Sequence, residues 1–297
     1  MTERAKRIIT NFSDAETWYL PSIPVIRLNQ THDYLIITTN AIESSSTKLT
    51  DFVSYLANQG HLPLVITEDE FGNLTGQSPN GTAEKIREWL KNNYIASSIE
   101  YVLLIGNSDP GGDVPMKMCW PRSDESTNRE TPTDYFYANL TGNWDQDGDG
   151  FFGEYSDDRK PGGVDFMNDV YVGRTPVYSG VADLDSVLAK FITYGNELDL
   201  TWRQNALLPL SFSDSSTDGA HMGEAMKSTY LTPAGYSSWS LYMQGSVCAG
   251  GDSSFASNEE LLSGATKKRW MGNPYGMVWW RGHGSQTGAY MGIATAD

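Results

Sequence analysis

Carboxylates alternate with other residues in one short, glycine-rich segment of the chain. The segment runs from Asp145 to Glu154 and has acids at its first, third, fifth and tenth positions, with glycine at the fourth, sixth and ninth. Calcium takes roughly six to eight oxygen ligands, and alternate acidic side chains on a tightly turning loop can converge on one ion. We therefore expect a calcium site whose ligands are the side chains of Asp145, Asp147, Asp149 and Glu154 and the backbone carbonyl of Phe151.

This segment departs from the EF-hand pattern at its twelfth position, where Ser156 stands in place of a bidentate glutamate. Only the loop chemistry is therefore expected, without the flanking helices of an EF-hand. Oxygen ligands on such a loop are poorly suited to generating a nucleophile. We expect the ion to order the loop, and a solvated acidic loop without metal is the alternative.

A histidine flanked by glycines follows directly on an apolar run. The run Gly276–Trp280 is predicted to be a strand, and His283 comes three residues after it. Open parallel sheets bind ligands at the carboxyl ends of their strands, where this imidazole is expected. Gly282 and Gly284 allow a sharp turn and a close substrate approach, and the peptide N–H after the histidine could face a developing oxyanion.

Short β-branched runs alternate with stretches of helical periodicity from Asp33 onward, which is typical of an α/β fold with largely parallel sheets. Strands are predicted at Tyr34–Thr39, Leu62–Thr67, Tyr101–Gly106, Val170–Val172, Ala206–Phe212, Ser238–Tyr242 and Gly276–Trp280. Helices are predicted at Lys48–Gln59, around Ile86–Tyr94 and Leu184–Ile192, at His221–Tyr230 and at Glu259–Trp270. The alternation lapses between Trp120 and Asp169, around the acidic segment, and long irregular stretches of this kind are usually functional or disordered.

Two α/β subdomains are expected, residues 31–200 with the calcium loop and residues 201–297 with the histidine. Residues 1–30 have no sustained periodicity and are interpreted as an extended lead-in or linker remnant. The start of the chain is charged, and no apolar run is long enough to span a bilayer. We therefore expect neither a transmembrane segment nor an export signal within this sequence.

The chain is strongly acidic, with a formal net charge of −16 and a pI near 4.6. This argues against sequence-independent nucleic-acid binding, which requires clustered Lys and Arg. The two cysteines, Cys119 and Cys248, form neither a zinc-binding pattern nor a dense disulfide framework. A single bridge between them stays open, and no oligomeric state is indicated.

Six segments occur in the order in which gingipain-like cysteine peptidases carry their counterparts, and the chain resembles that family over roughly residues 33–297. They are Asp33–Thr38, Phe52–Gly60, Tyr101–Gly106, Thr133–Tyr135 running into the calcium loop, Val170–Arg174 and Gly282–Ser285. The resemblance implies a caspase-like fold of two subdomains, each a mostly parallel sheet flanked by helices, and peptide-bond cleavage by a Cys–His pair. It implies that His283 is the catalytic imidazole, that the Gly284 N–H contributes to the oxyanion hole, and that Asp214 is the acidic residue assisting the histidine. Aspartate is shorter than the family's glutamate, and a solvated loop carboxylate is the alternative.

In the family, the nucleophilic cysteine closes the strand after the one that bears the histidine. Neither Cys119 nor Cys248 matches that position, so we expect the second subdomain to be incomplete and the 297-residue chain to be inactive by itself, because acyl transfer needs an attacking atom. The full-length protein is expected to be a cysteine endopeptidase that acts on peptide or protein substrates outside the cell or at its surface. A pseudo-peptidase or adhesion module of the same fold is the alternative, and a nucleotide-binding α/β protein is a third hypothesis.

Overall fold

The computed structural model describes residues 32–120, 130–155, 157–214, 216–244, 252–285, 288–289 and 293–294. The chain divides into two compact units, with the boundary between Gly195 and Asn196. The segment 1–30, interpreted above as a lead-in, lies outside the described residues. Within the described ranges, no helix has both the length and the apolar character that crossing a bilayer requires.

The first unit is built around a parallel sheet. Its strands in chain order are β1 (Tyr34–Ile37), β2 (Pro63–Ile66), β3 (Tyr101–Gly106), β4 (Lys117–Cys119), β5 (Thr131–Thr133) and β6 (Tyr171–Pro176). Four of them form the sheet in the order β2-β1-β3-β6, and every pairing in it is parallel. The other two, β4 and β5, form an antiparallel ribbon in the segment between β3 and β6.

Helices accompany this sheet in the manner of an α/β fold. They are α1 (Asn40–Ser45), α2 (Leu49–Asn58), α3 (Glu68–Phe71), α4 (Thr82–Asn93), α5 (Tyr135–Ala138) and α6 (Val181–Asn196). Side chains alternate between the two faces of a strand, so each face of the sheet receives its own apolar layer. Leu35 and Ile37 of β1 pack with Ile86 and Leu90 of α4, and the other face is filled by a second cluster. That cluster contains Ile36, Leu103 and Ile105 from the strands, Leu49, Phe52 and Leu56 from α2, and Leu184 and Leu188 from α6.

The second unit repeats the design on a smaller scale. Its parallel sheet has the order β10-β7-β8-β9, with β7 (Asn205–Leu210), β8 (Ser237–Tyr242), β9 (Glu259–Glu260) and β10 (Met277–Val278). The helices are α7 (Ala220–Met226), which continues into a π-helical turn at Lys227–Leu231, and α8 (Ala265–Gly272), and a 3₁₀ turn at Thr201–Gln204 precedes β7. Three short strands, β11 (Gly284–Ser285), β12 (Gly288–Ala289) and β13 (Ile293–Ala294), form an antiparallel sheet after β10.

The predicted α/β class, with mostly parallel sheets flanked by helices, is confirmed. One predicted element is wrong, because Glu259–Trp270 is not a single helix. Its first two residues form β9, and the Leu261 N–H donates to the Tyr242 carbonyl at 2.8 Å. The helix starts only after Gly264, whose φ of 77° interrupts helical backbone. Pairing with the open edge of β8 therefore outweighs the local helical spacing of this segment.

Candidate functional site

The acidic loop brings three of the predicted calcium ligands together. Asp145, Asp147 and Asp149 each offer a carboxylate oxygen, and these oxygens lie within 4.8 Å of one another. Gly148 and Gly150 have φ values of 79° and 88°, the left-handed conformation that lets the chain turn twice in this short stretch. The carboxylates are thus placed where they could share a cation.

Asp147 also belongs to a second group of acids. Its carboxylate and those of Glu154 and Asp157 offer oxygens that again lie within 4.8 Å of one another. Glu154 is buried, whereas Asp157 is half-buried. Asp157 was not among the predicted ligands. Its position three residues after Glu154, in the same acidic segment, could have indicated a further ligand. Because the two groups share Asp147, all the predicted carboxylate ligands belong to one connected acidic cluster.

A buried carboxylate holds the loop in this shape. Asp158 is fully buried and accepts the backbone N–H groups of Gln146 at 2.5 Å, Gly153 at 2.8 Å and Glu154 at 3.1 Å. Burial raises the pKa of this carboxyl, while the three N–H groups favour its charged form. Asp158 therefore ties the start of the acidic loop to its end. The backbone carbonyl of Phe151 stays a predicted ligand.

The stretch that leads into this loop is held by an arginine from α4. The Arg87 guanidinium donates to the backbone carbonyls of Phe136 at 2.9 Å, Asn139 at 2.7 Å, Leu140 at 3.3 Å and Gly142 at 2.7 Å. Burial lowers the pKa of Arg87 to about 10. The planar guanidinium has several N–H donors in a fixed arrangement, so it is better suited than a lysine ammonium to contacting several carbonyls at once. The residue type alone carried no signal of this role.

His283 lies where the parallel strands of the second unit end. The pairing of β10 with β7 continues to Arg281, whose N–H donates to the Pro209 carbonyl at 3.1 Å and whose carbonyl accepts the Ser211 N–H at 2.9 Å. His283 follows two residues later, and its side chain is exposed. The imidazole therefore stands at the carboxyl edge of a parallel sheet.

The ring of His283 is oriented by a backbone carbonyl. Its Nε2 lies 2.5 Å from the carbonyl oxygen of Ser213, a residue that follows β7 at the same sheet edge. A carbonyl oxygen only accepts hydrogen bonds, so Nε2 carries a proton. In the neutral ring, Nδ1 then has the free lone pair and can accept a proton. The sequence could not indicate this contact, because every residue has a backbone carbonyl.

Asp214, the predicted acidic partner of His283, is directed into its own turn. Its carboxylate accepts the backbone N–H and the hydroxyl of Ser216 and the backbone N–H and the hydroxyl of Thr217, at 2.8–2.9 Å. The Ser216 N–H, followed by the hydroxyls of Thr217 and Ser216, holds the pKa of Asp214 far below its usual range. In the part of the chain that the structure describes, no hydrogen bond joins Asp214 to His283. The structure does not show a direct contact between the two side chains, and the catalytic role of Asp214 stays a prediction.

Gly284 begins β11 and pairs with Ala289 of β12. A Cβ at this position would have the Gly288 carbonyl oxygen as its nearest neighbour, at 3.8 Å, so the space beside the Cα is open. An oxyanion site requires a backbone N–H that faces the substrate. The oxyanion role of Gly284 stays a prediction.

Of the two cysteines, the structure describes Cys119. It is buried in the first unit, its Sγ donates to the Thr131 carbonyl at 3.1 Å, and burial raises its pKa. A thiol in this state is a poor nucleophile, because the thiolate is the attacking species. Cys248 lies outside the described residues.

Comparison with known proteins identifies the family of this chain. The family model described as peptidase family C25 matches residues 27–297, whereas no curated protein and no solved structure matches the chain. The parallel sheets flanked by helices agree with the caspase-like architecture that the resemblance implied. The chain therefore belongs to peptidase family C25, the gingipain family of cysteine peptidases.

Proposed function

We propose that this chain is a calcium-stabilised cysteine endopeptidase domain in which His283 is the catalytic imidazole. The observation that carries the proposal is the exposed ring at the carboxyl edge of a parallel sheet, with Nε2 directed at the Ser213 carbonyl. This leaves Nδ1 as the basic nitrogen. Membership of the family supplies the reaction class, hydrolysis of peptide bonds in peptide or protein substrates.

The proposed reaction begins with proton transfer from a cysteine thiol to Nδ1 of His283. The thiolate attacks the carbonyl carbon of the substrate, and the oxygen becomes an oxyanion that faces the Gly284 N–H. The imidazolium gives its proton to the departing amine as the C–N bond breaks, which leaves a thioester. Water then attacks the thioester carbonyl, loses a proton to the imidazole and releases the acid, and the thiol is restored.

The cysteine in this proposal comes from a strand next to β10. Strand β10 pairs with β7 on one side, and no strand among the described residues pairs with its other side. A further parallel strand at that position would end at the same sheet edge as β10, so its last residue would lie near His283. The burial of Cys119 argues against its use as the nucleophile. We therefore expect no peptidase turnover from the 297-residue chain by itself.

The calcium part of the proposal rests on the acidic cluster. The clustered oxygens of Asp145, Asp147, Asp149, Glu154 and Asp157 suit a hard divalent cation. The ion would neutralise carboxylates that otherwise repel one another and would order the loop. We place the protein outside the cell or at its surface, as the family resemblance implied, and extracellular calcium modules have dissociation constants of about 10⁻⁴–10⁻³ M.

Activity of the natural protein that contains this domain tests the peptidase proposal. Wild type should hydrolyse peptide substrates and be labelled by a thiol-directed peptidyl inhibitor. His283→Ala should lower kcat/KM by about a thousandfold, the scale of a lost general acid–base. His61→Gln is the matched control, because His61 is paired with Asp33 in the first unit. Full activity of His283→Ala would overturn the proposal, and absence of both turnover and labelling in wild type would favour the pseudo-peptidase or adhesion module.

A further inference from the structure

We propose that the second unit binds a small carboxylate ligand at the amino ends of its parallel strands, with the Arg269 guanidinium as the anion-binding group. The site is separate from the edge that carries His283, because Asn205 and Ser237 begin β7 and β8, whereas His283 lies beyond the strand ends. The inference goes beyond the proposed peptidase function and does not depend on it. Three features support it: a cavity, an arginine held at that cavity, and the charges around it.

The cavity lies between the start of the sheet and the end of α8. It has a volume of about 160 Å³ and is open to solvent. Asn205 and Ser237 are register partners, so their side chains lie on one face of the sheet, and Trp239 lies on the same face two residues along β8. The end of α8 and residues 273–275 form the opposite wall. All of these residues belong to the second unit.

Arg269 of α8 is held at this cavity by two contacts. Its guanidinium carbon lies 3.5 Å from the centroid of the Trp239 ring, and its Nε donates to the Tyr275 hydroxyl at 2.8 Å. Its two terminal nitrogens have no hydrogen-bond or ion-pair partner in the part of the chain that the structure describes. A stacked guanidinium keeps its orientation and can bind a carboxylate through two parallel N–H···O bonds. The pair of donors is therefore preorganised before a ligand arrives.

Two asparagines fix the wall that carries this arginine. The Asn205 side-chain amide donates to the Pro274 carbonyl at 3.3 Å, and the Asn273 side-chain amide donates to the Arg269 carbonyl at 3.0 Å. The first bond ties the segment after α8 to the start of β7, and the second closes the end of the helix. The cavity is thus built by hydrogen bonds within the free chain, as most small-molecule sites are.

The charges around the cavity favour a ligand with one negative charge. The chain has a formal net charge of −16, yet the described residues that line this cavity include no carboxylate, and Arg269 is the one cation among them. A carboxylate carries a single charge that this cation would neutralise. A phosphate group carries a charge of about −1.5 to −2 near neutral pH, which one guanidinium leaves partly unpaired. The site therefore matches a carboxylate better than a phosphate.

The other walls indicate the body of the ligand. The rings of Trp239, Pro274 and Tyr275 line the cavity and offer apolar surface beside the guanidinium. The Ser237 side chain adds a hydroxyl that has no hydrogen-bond partner among the described residues. A few polar groups on mostly apolar walls are typical of sites for small organic molecules. The ligand class is therefore a small monocarboxylate with a short aliphatic body.

An NMR titration of the 297-residue chain with butyrate tests this inference. The indole N–H of Trp239 is the reporter, because its Nε1 is buried without a hydrogen-bond partner among the described residues and the ring lies under the guanidinium. Trp239→Phe assigns the resonance. Butyrate should shift it saturably, butyramide, the neutral isostere, should not, and inorganic phosphate should bind more weakly than butyrate. Arg269→Gln should raise the dissociation constant of butyrate at least about tenfold, the scale of one hydrogen bond to a charged group.

Arg159→Gln is the matched control, because Arg159 is also stacked on aromatic rings, those of Tyr155 and Phe166 in the first unit. It should leave the dissociation constant unchanged, and circular dichroism melts verify that each variant is folded. Should Arg269→Gln not fold, Tyr275→Phe removes the hydroxyl that orients the guanidinium and should also weaken butyrate binding. The absence of a butyrate shift, an equal shift with butyramide, tighter binding of phosphate, or unchanged affinity in a folded variant of the site would each overturn the inference. None of these measurements requires a nucleophile, so they stand apart from the activity assay.

Discussion

Lys117 and Glu84 form an ion pair in the interior of the first unit, with Nζ 2.6 Å from Oε1. The side chains are 10% and 3% exposed, so this pair is almost fully removed from water. The same ammonium lies 3.3 Å from the centroid of the Phe152 ring, and the second oxygen of Glu84 accepts the Gly81 N–H at 2.7 Å. The pair therefore connects the start of α4 to the acidic loop.

Glu84→Ala should destabilise the protein strongly, because it leaves the Lys117 ammonium buried without its counter-charge. Loss of one partner of a buried pair costs about 3–5 kcal/mol in the free energy of unfolding. Urea denaturation followed by circular dichroism measures this. The double variant Glu84→Gln/Lys117→Met has no net charge to bury, so it should be more stable than Glu84→Ala. A loss below about 1 kcal/mol in Glu84→Ala would show that water reaches the pair.

Calcium should raise the melting temperature of the chain, and EDTA should lower it. At a calcium concentration a hundred times the dissociation constant, binding adds about 2.7 kcal/mol, which corresponds to roughly 4 °C for a chain of this length. Asp147→Asn should abolish the response, because Asp147 belongs to both groups of acids. Asp109→Asn, which removes one charge from an exposed position elsewhere, is the control. A melting temperature indifferent to both calcium and EDTA would exclude a structural ion.

Cys119 should react slowly with iodoacetamide at pH 8 while the chain is folded, and fast in urea. Burial raises the pKa of its thiol, and Sγ already donates to the Thr131 carbonyl. Peptide mapping by mass spectrometry separates its modification from that of Cys248.

The isolated chain should also show no peptidase turnover, because the proposed nucleophile is neither of its two cysteines. Activity that disappears in Cys119→Ala would contradict the exclusion of this cysteine as the nucleophile.

Acid should destabilise the turn that carries Asp214. Its pKa is lower in the folded chain than the ordinary value of 3.8, chiefly because of the Ser216 N–H. A carboxyl with a lowered pKa stabilises the folded state above its unfolded pKa, and this contribution is lost as the pH falls through the folded pKa. The melting temperature of wild type should therefore fall more between pH 5 and about pH 2.5 than that of Asp214→Asn. An equal fall of the melting temperature with pH in the two proteins would show that the Asp214 carboxylate does not accept these hydrogen bonds in solution.

Local patterns in the sequence determined most of the elements of this fold. The apolar run Tyr101–Gly106 is β3, and the helix predicted at Lys48–Gln59 is α2 with its first and last residues as caps. Periodicity reports which face of an element is buried, and that information is local. The grouping of Asp145, Asp147 and Asp149 was equally predictable, because neighbours in a short loop need only a turn to meet.

Tertiary structure alone decided the contacts that join distant segments. The Ser213 carbonyl meets His283 across seventy residues of sequence, and nothing in the type of residue 213 indicates it. Glu259 became part of a strand because the edge of β8 was available, although its segment has helical spacing. In both cases backbone groups make the deciding hydrogen bonds, and every residue carries such groups, so only the folded arrangement selects which of them meet.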